Sequence, residues 1–168
     1  MTRRTFIKRT AGTTLGATAL KSGEKSATAR QTSGSKGKAK GGKRKVLTDR
    51  APKPLGPYSQ AIASGNMIFV AGQGPVDPKT GKMSTNGISE QAAQTLENIK
   101  SILEADGASL ADVVKVNVYV ADLRDFGKMN EVYVRFFPEP YPARATIGAQ
   151  LLGNMLIEVE CVAIKPAS

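Results

Sequence analysis

The sequence predicts an α+β fold, a single sheet with two helices packed on one face. Three observations predict it: short runs that alternate apolar and polar residues, two segments with apolar residues at three- and four-residue spacing, and turn-forming residues between them. Their order is two strands, helix, strand, helix, two strands, and connections of that kind let both helices cover the same face.

Residues 61–63 and 67–71 are short apolar runs separated by Ser64-Gly65-Asn66, residues that tolerate left-handed turn conformations, so the pair reads as a hairpin. Beyond a Pro/Gly-rich loop at 74–87, Ile88, Ala92, Leu96, Ile99 and Leu103 form one helical stripe, and Gly107 supplies the stop. Ser109 and Asp112 have the spacing of a capping pair. Val114, Val116, Val118 and Val120 then alternate with Lys115, Asn117 and Tyr119, which predicts a strand. Phe126, Met129, Tyr133 and Phe136 or Phe137 mark the second helix, and the ring and missing N–H of Pro138 end it. Residues 143–149 and 156–164 read as the last two strands. In the second of these Ile157, Val159, Cys161 and Ala163 share the face that should meet the helices.

Charge divides the chain. Residues 1–50 carry fourteen Lys and Arg against Glu24 and Asp49, so the net +10 separates into +12 there and −2 over residues 51–168. A basic surface that would bind nucleic acid through its phosphates is therefore confined to the N-terminal part, and no specific nucleic-acid partner is expected for the domain. The chain has no histidine and only Cys161, which rules out an intramolecular disulfide, histidine catalysis and a tetrahedral Cys/His zinc site. No run approaches the roughly eighteen apolar residues that span a bilayer, so no stable membrane association is expected.

Thr2-Arg3-Arg4-Thr5-Phe6-Ile7-Lys8 resembles a twin-arginine export signal, and Ala27-Thr28-Ala29 offers small residues for cleavage. Residues 1–29 are read as that signal, which would place the mature protein in the periplasm or outside the cell; as a mere basic tail they would leave it in the cytoplasm. Residues 30–45 lack the apolar content to offset ordering entropy and read as a disordered basic linker, leaving 46–168 as the folded domain.

Three places could carry chemistry. Gly56-Pro57-Tyr58-Ser59-Gln60 sets a phenol behind a rigid turn, as a site residue or a structural tyrosine. Pro142-Ala143-Arg144-Ala145-Thr146 puts an arginine at the start of a strand, where its fork could bind a carboxylate. In the last strand Glu158 and Glu160 share one face about 6–7 Å apart, close enough for each to oppose the other's ionisation. Arg144 and Glu158 on adjacent strands could equally form an ordinary salt bridge.

In order and spacing, Gly56-Pro57-Tyr58-Ser59-Gln60, Gly72-Gln73-Gly74-Pro75, Asn130-Glu131-Val132-Tyr133, Pro142-Ala143-Arg144-Ala145-Thr146 and Ile157-Glu158-Val159-Glu160 resemble the signatures of the reactive intermediate deaminase (Rid) family. The resemblance implies a chorismate-mutase-like fold and a homotrimer with sites in clefts between subunits. It implies hydrolysis of 2-aminoacrylate-like enamines and imines to 2-keto acids and ammonia, with neither cofactor nor metal. By matching motif, Arg144 clamps the substrate carboxylate and marks the arginine-containing subgroup, Glu158 handles the water, Tyr58 lines the cleft, Gly72 offers backbone and Asn130 a polar contact. Two positions depart from the family pattern: Ala71 stands where many members have serine, and Ile147 where some have cysteine. Relatives have also been described as ribonucleases, translation inhibitors or chaperone-like factors, and a ligand-binding trimer without turnover is a further alternative.

Overall fold

The computed structural model describes residues 42–166. The signal expected at 1–29 and nearly all of the linker expected at 30–45 lie outside the described residues. Eight elements follow: β1 (Arg44–Val46), β2 (Ala61–Ser64), β3 (Met67–Gln73), α1 (Ile88–Glu104), β4 (Val113–Val120), α2 (Phe126–Phe136), β5 (Ala143–Gly148) and β6 (Ile157–Ile164). They form one mixed six-stranded sheet in the order β1-β2-β3-β6-β4-β5, antiparallel except for the β4–β5 pair at one edge. The α+β class expected from the sequence is the class observed.

β1 corrects the expected domain boundary at 46. Its three residues pair with Ala61–Ala63, and Arg44 bonds Asp106 at 2.6 Å, just beyond α1. Two of the three side chains are exposed and charged, so no apolar alternation announced the strand. The hairpin of β2 and β3 closes across Ser64 and Met67, with Gly65 in the left-handed region (φ +59°).

α1 buries Ile88, Ala92, Leu96, Ile99, Ile102 and Leu103 on the sheet. At its far end the Gly107 N–H donates to the Glu104 carbonyl and the Ala108 N–H to that of Leu103, a close that needs the φ of +76° at Gly107. Ser109 and Asp112 form a reciprocal capping box around a short 3₁₀ turn. Two buried amides on α1 fasten the loops beside the sheet. Asn98 donates to the carbonyls of Gly74 and Val76, while Gln91 donates to that of Ser84 and accepts from the Leu156 N–H.

The expected alternation of β4 holds from Val116 onward and fails at Val114. A register shift against β6 between Val113 and Lys115 buries Val113 and leaves Val114 43% exposed. A bulge adds one residue to a strand, so the pattern changes face there. In α2 the buried residues are Met129, Val132 and Tyr133, with Phe137 buried just past the helix end; Phe126, expected on the buried stripe, is 42% exposed. Ile157, Val159, Cys161 and Ala163 of β6 face the core as expected.

Candidate active site

Arg144 lies on β5, in register with Val116 of β4, which in turn pairs with Cys161 of β6. Val116 and Cys161 are buried, so this row faces the helices. The Arg144 guanidinium carbon sits 4.5 Å from the centroid of the Tyr133 ring and 5.6 Å from that of Phe126, both on α2. Tyr133 is itself stacked on Phe137, centroids 4.4 Å apart and planes at 29°. Among the described residues no carboxylate pairs with Arg144. A cavity of about 360 Å³ opens beside it, lined by Asn130, Tyr133, Val134, Tyr141, Pro142 and Arg144. Burial pushes the Tyr133 phenol up to about 12, outweighing the nearby guanidinium, and among the described residues its hydroxyl has no hydrogen-bond partner.

Glu158 occupies the other face of the sheet, because its neighbours Ile157 and Val159 point into the core. Between the pairs Val70↔Cys161 and Gln73↔Val159, Ala71 and Gly72 stand against Glu160 alone, so β3 is bulged here. The bulge brings the Gly72 backbone onto Glu158: a methyl group at Gly72 would run into the Glu158 carboxylate. Glu160, one step along the same face, accepts hydrogen bonds from Asn117 Nδ2 and Tyr119 Oη, each at 2.9 Å. Burial first, and the Glu160 charge second, raise the Glu158 carboxyl above its ordinary range. The Tyr119 phenol is raised as well, foremost by its hydrogen bond to Glu160.

The expected site residues thus separate into groups. Asn130 joins Arg144 in one cavity. Gly72 meets Glu158, and Ile147, 53% exposed, shares the Glu158 face through Tyr119, which pairs with both residues. Ala71 is half-buried, and its N–H donates to the Gln60 carbonyl. Tyr58 is half-exposed within its own loop, where its hydroxyl accepts from the Leu55 N–H. Among the described residues no cluster of three potential metal ligands occurs.

Two expectations about this region are corrected. Arg144 and Glu158 are not on adjacent strands, since β4 runs between β5 and β6, and they are not salt-bridged. Sequence reasoning also treated Tyr133 only as a core residue of α2, and missed that Asn117 and Tyr119 fix Glu160. Their period-two spacing opposite Glu158 and Glu160 was the available signal, readable only once the β4–β6 pairing is known.

An arginine held against aromatic rings on one face of a small mixed sheet and a carboxyl pair on the other make up the candidate site of this α+β domain, whose sequence and fold have known relatives. Residues 48–165 match the family model described as Endoribonuclease L-PSP. The chain is 54% identical over 121 residues to a RutC family protein of Pyrococcus horikoshii, covering 71% of this chain and 96% of that one. It is 43% identical over 124 residues to the 2-iminobutanoate/2-iminopropanoate deaminase of Salmonella typhimurium, covering 71% and 96% respectively. The crystal structure of RidA from an Antarctic Psychrobacter superposes with a TM-score of 0.70 at 44% identity, over 72% of this chain and 98% of that one. The chain belongs to this Endoribonuclease L-PSP family, which includes the RutC and Rid proteins.

Proposed function

We propose that the domain hydrolyses 2-imino acids and their enamine tautomers to 2-keto acids and ammonia, as a member of the arginine-containing subgroup. The observation that carries this reading is the Arg144 guanidinium, its carbon 4.5 Å from the centroid of the Tyr133 ring, beside a cavity and unpaired with any carboxylate among the described residues. A fork so held presents in-plane N–H donors to a planar carboxylate. The name of the Salmonella relative, an imine deaminase, supports the same chemistry.

In this reading Arg144 binds the substrate carboxylate beside the iminium carbon, and Asn130 contributes a polar contact. Glu158 accepts a proton from the attacking water as its oxygen bonds to that carbon. Glu158 returns that proton to the carbinolamine nitrogen, the C–N bond breaks with its electron pair leaving on ammonia, and the hydroxyl gives up its proton to the departing ammonia as the C=O of the 2-keto acid forms. An iminium is already electrophilic, so orientation, charge neutralisation and one base suffice, without cofactor or metal. A carboxyl raised above its usual range also suits delivery of a proton to the enamine carbon. Tyr58 lines the cleft in this assignment, and Gly72 contributes backbone. Ala71 and Ile147 make its floor apolar.

Arg144 and Glu158 of one chain face opposite ways, so a shared substrate requires Arg144 of one subunit to meet Glu158 of another. We therefore propose a closed homotrimer with three such sites. The test is to generate imino acids in situ with an amino-acid oxidase and follow 2-keto acid and ammonia with purified protein. Acceleration over buffer supports the reading, and tight binding without turnover would replace it with a ligand-binding trimer. Ribonuclease activity is disfavoured by the −2 net charge of residues 51–168. For the leader we propose twin-arginine export; replacing Arg3 and Arg4 by lysine should hold the precursor in the cytoplasm, and unchanged fractionation would reduce the leader to a basic tail.

A further inference from the structure

We infer that Tyr133, flanked by Phe126 and backed by Phe137, is the positioning residue that holds the Arg144 guanidinium for carboxylate binding; this rests on the proposed function. An arginine is ordinarily fixed by acids, as Arg44 is by Asp106 and Arg50 by Glu104. Such a partner occupies the very N–H edge that a substrate carboxylate needs, and adds negative charge where a carboxylate must bind. A ring beneath the guanidinium fixes its plane through the face and leaves every N–H free.

The Tyr133 ring can serve as that platform because it cannot tilt. The residue is 4% exposed, and its ring is stacked on Phe137, itself 1% exposed. Among the described residues its buried hydroxyl meets the geometry of no hydrogen bond, which leaves the ring as the part of the side chain set against the guanidinium. Phe126 explains itself in the same way: it leaves the buried stripe of α2 and lies 5.6 Å from the same guanidinium.

Four variants test this with imine hydrolysis, pyruvate affinity by calorimetry and thermal melts. Tyr133→Leu keeps apolar bulk and loses the ring; it should raise KM and weaken pyruvate binding by about three- to thirtyfold, with kcat within about twofold. Tyr133→Phe keeps the ring and should return both values to near wild type. Phe126 is exposed enough that Phe126→Leu leaves folding intact, and it should shift KM the same way by a smaller factor, which keeps the test decisive if Tyr133→Leu does not fold. Unchanged KM and pyruvate affinity in the Leu variants, or equal damage from Tyr133→Phe and Tyr133→Leu, overturns the inference. Arg144→Ala separates the two levels: if it is inactive while the Leu variants behave as wild type, only the positioning role fails, and if it is fully active the proposed function fails.

Discussion

Arg144 and Glu158 stand on opposite faces of one sheet, with β4 between their strands. Arg144 reaches α2, where the Tyr133 ring receives it, while Glu158 reaches the bulge at Gly72. Side chains on opposite faces are separated by the sheet's own backbone, so in the proposed reaction these two groups of one chain do not meet on one three- or four-carbon acid. Under the proposed function, a site that uses both residues must draw them from two subunits.

Mixing two impaired variants should therefore raise activity above either alone. In the proposed trimer, Arg144→Ala and Glu158→Gln recover by random exchange about one intact site in four when co-refolded. Recovery is read as keto acid production against each variant alone. No recovery in mixed trimers verified by mass would mean that both residues act from one subunit.

Arg144→Ala should lower kcat/KM roughly thirty- to several-thousandfold, because removing one partner of a desolvated charge pair costs about 2–5 kcal/mol at ~1.4 kcal/mol per tenfold. Arg144→Lys restores charge without the fork and should stay well below wild type. Melts and size-exclusion chromatography confirm that each variant keeps its fold and assembly.

The carboxyl pair predicts a pH signature. Glu158 has a raised folded-state pKa, so its protonated form is favoured by folding: the stability it contributes is present below the unfolded carboxyl pKa and is lost as pH rises through the folded one. Glu158→Gln, neutral at every pH, should leave the melting temperature at pH 7 unchanged or higher while turnover falls, about a hundredfold for loss of a general base. The acid limb of kcat should lie above the ordinary carboxyl range in wild type. Glu160→Gln removes the second cause of the shift and should move that limb to lower pH.

Gly72→Ala places a methyl group against the Glu158 carboxylate. The carboxylate must swing away, and a displaced base should lower turnover at least about tenfold while pyruvate affinity changes less. Wild-type kcat in Gly72→Ala would show that Glu158 has room to act from elsewhere.

Most of the architecture was legible because burial imposes period. The stripe from Ile88 to Leu103 and the alternation of Ile157, Val159, Cys161 and Ala163 each reflect one face against the core. β1 was not legible, since of its three residues only Val46 is buried, and the rest of its hold on the sheet is backbone pairing and an Arg44–Asp106 contact across sixty-two residues. Val114 misled because a bulge changes face without a change of residue type. Arg144, Glu158, Gly72 and Asn130 were legible as motifs, yet their division between two faces depends on β5 pairing with β4 in parallel, a long-range choice that local sequence does not encode. Tyr133 was visible only as a core aromatic; its second role appears when Arg144 is seen above the ring.

The bulge in β3 has a consequence for how this chain can change over generations. Two residues, Ala71 and Gly72, occupy the space that a regular ladder gives to one. Deleting either would leave Val70 and Gln73 facing the core, with their pairing to Cys161 and Val159 intact, so the sheet would close as before. What vanishes is the backbone that lies against Glu158. Under the proposed function, a single lost codon there would uncouple the chemistry from folding, giving a route by which a lineage keeps the scaffold, gives up the reaction and frees the same surface for another task.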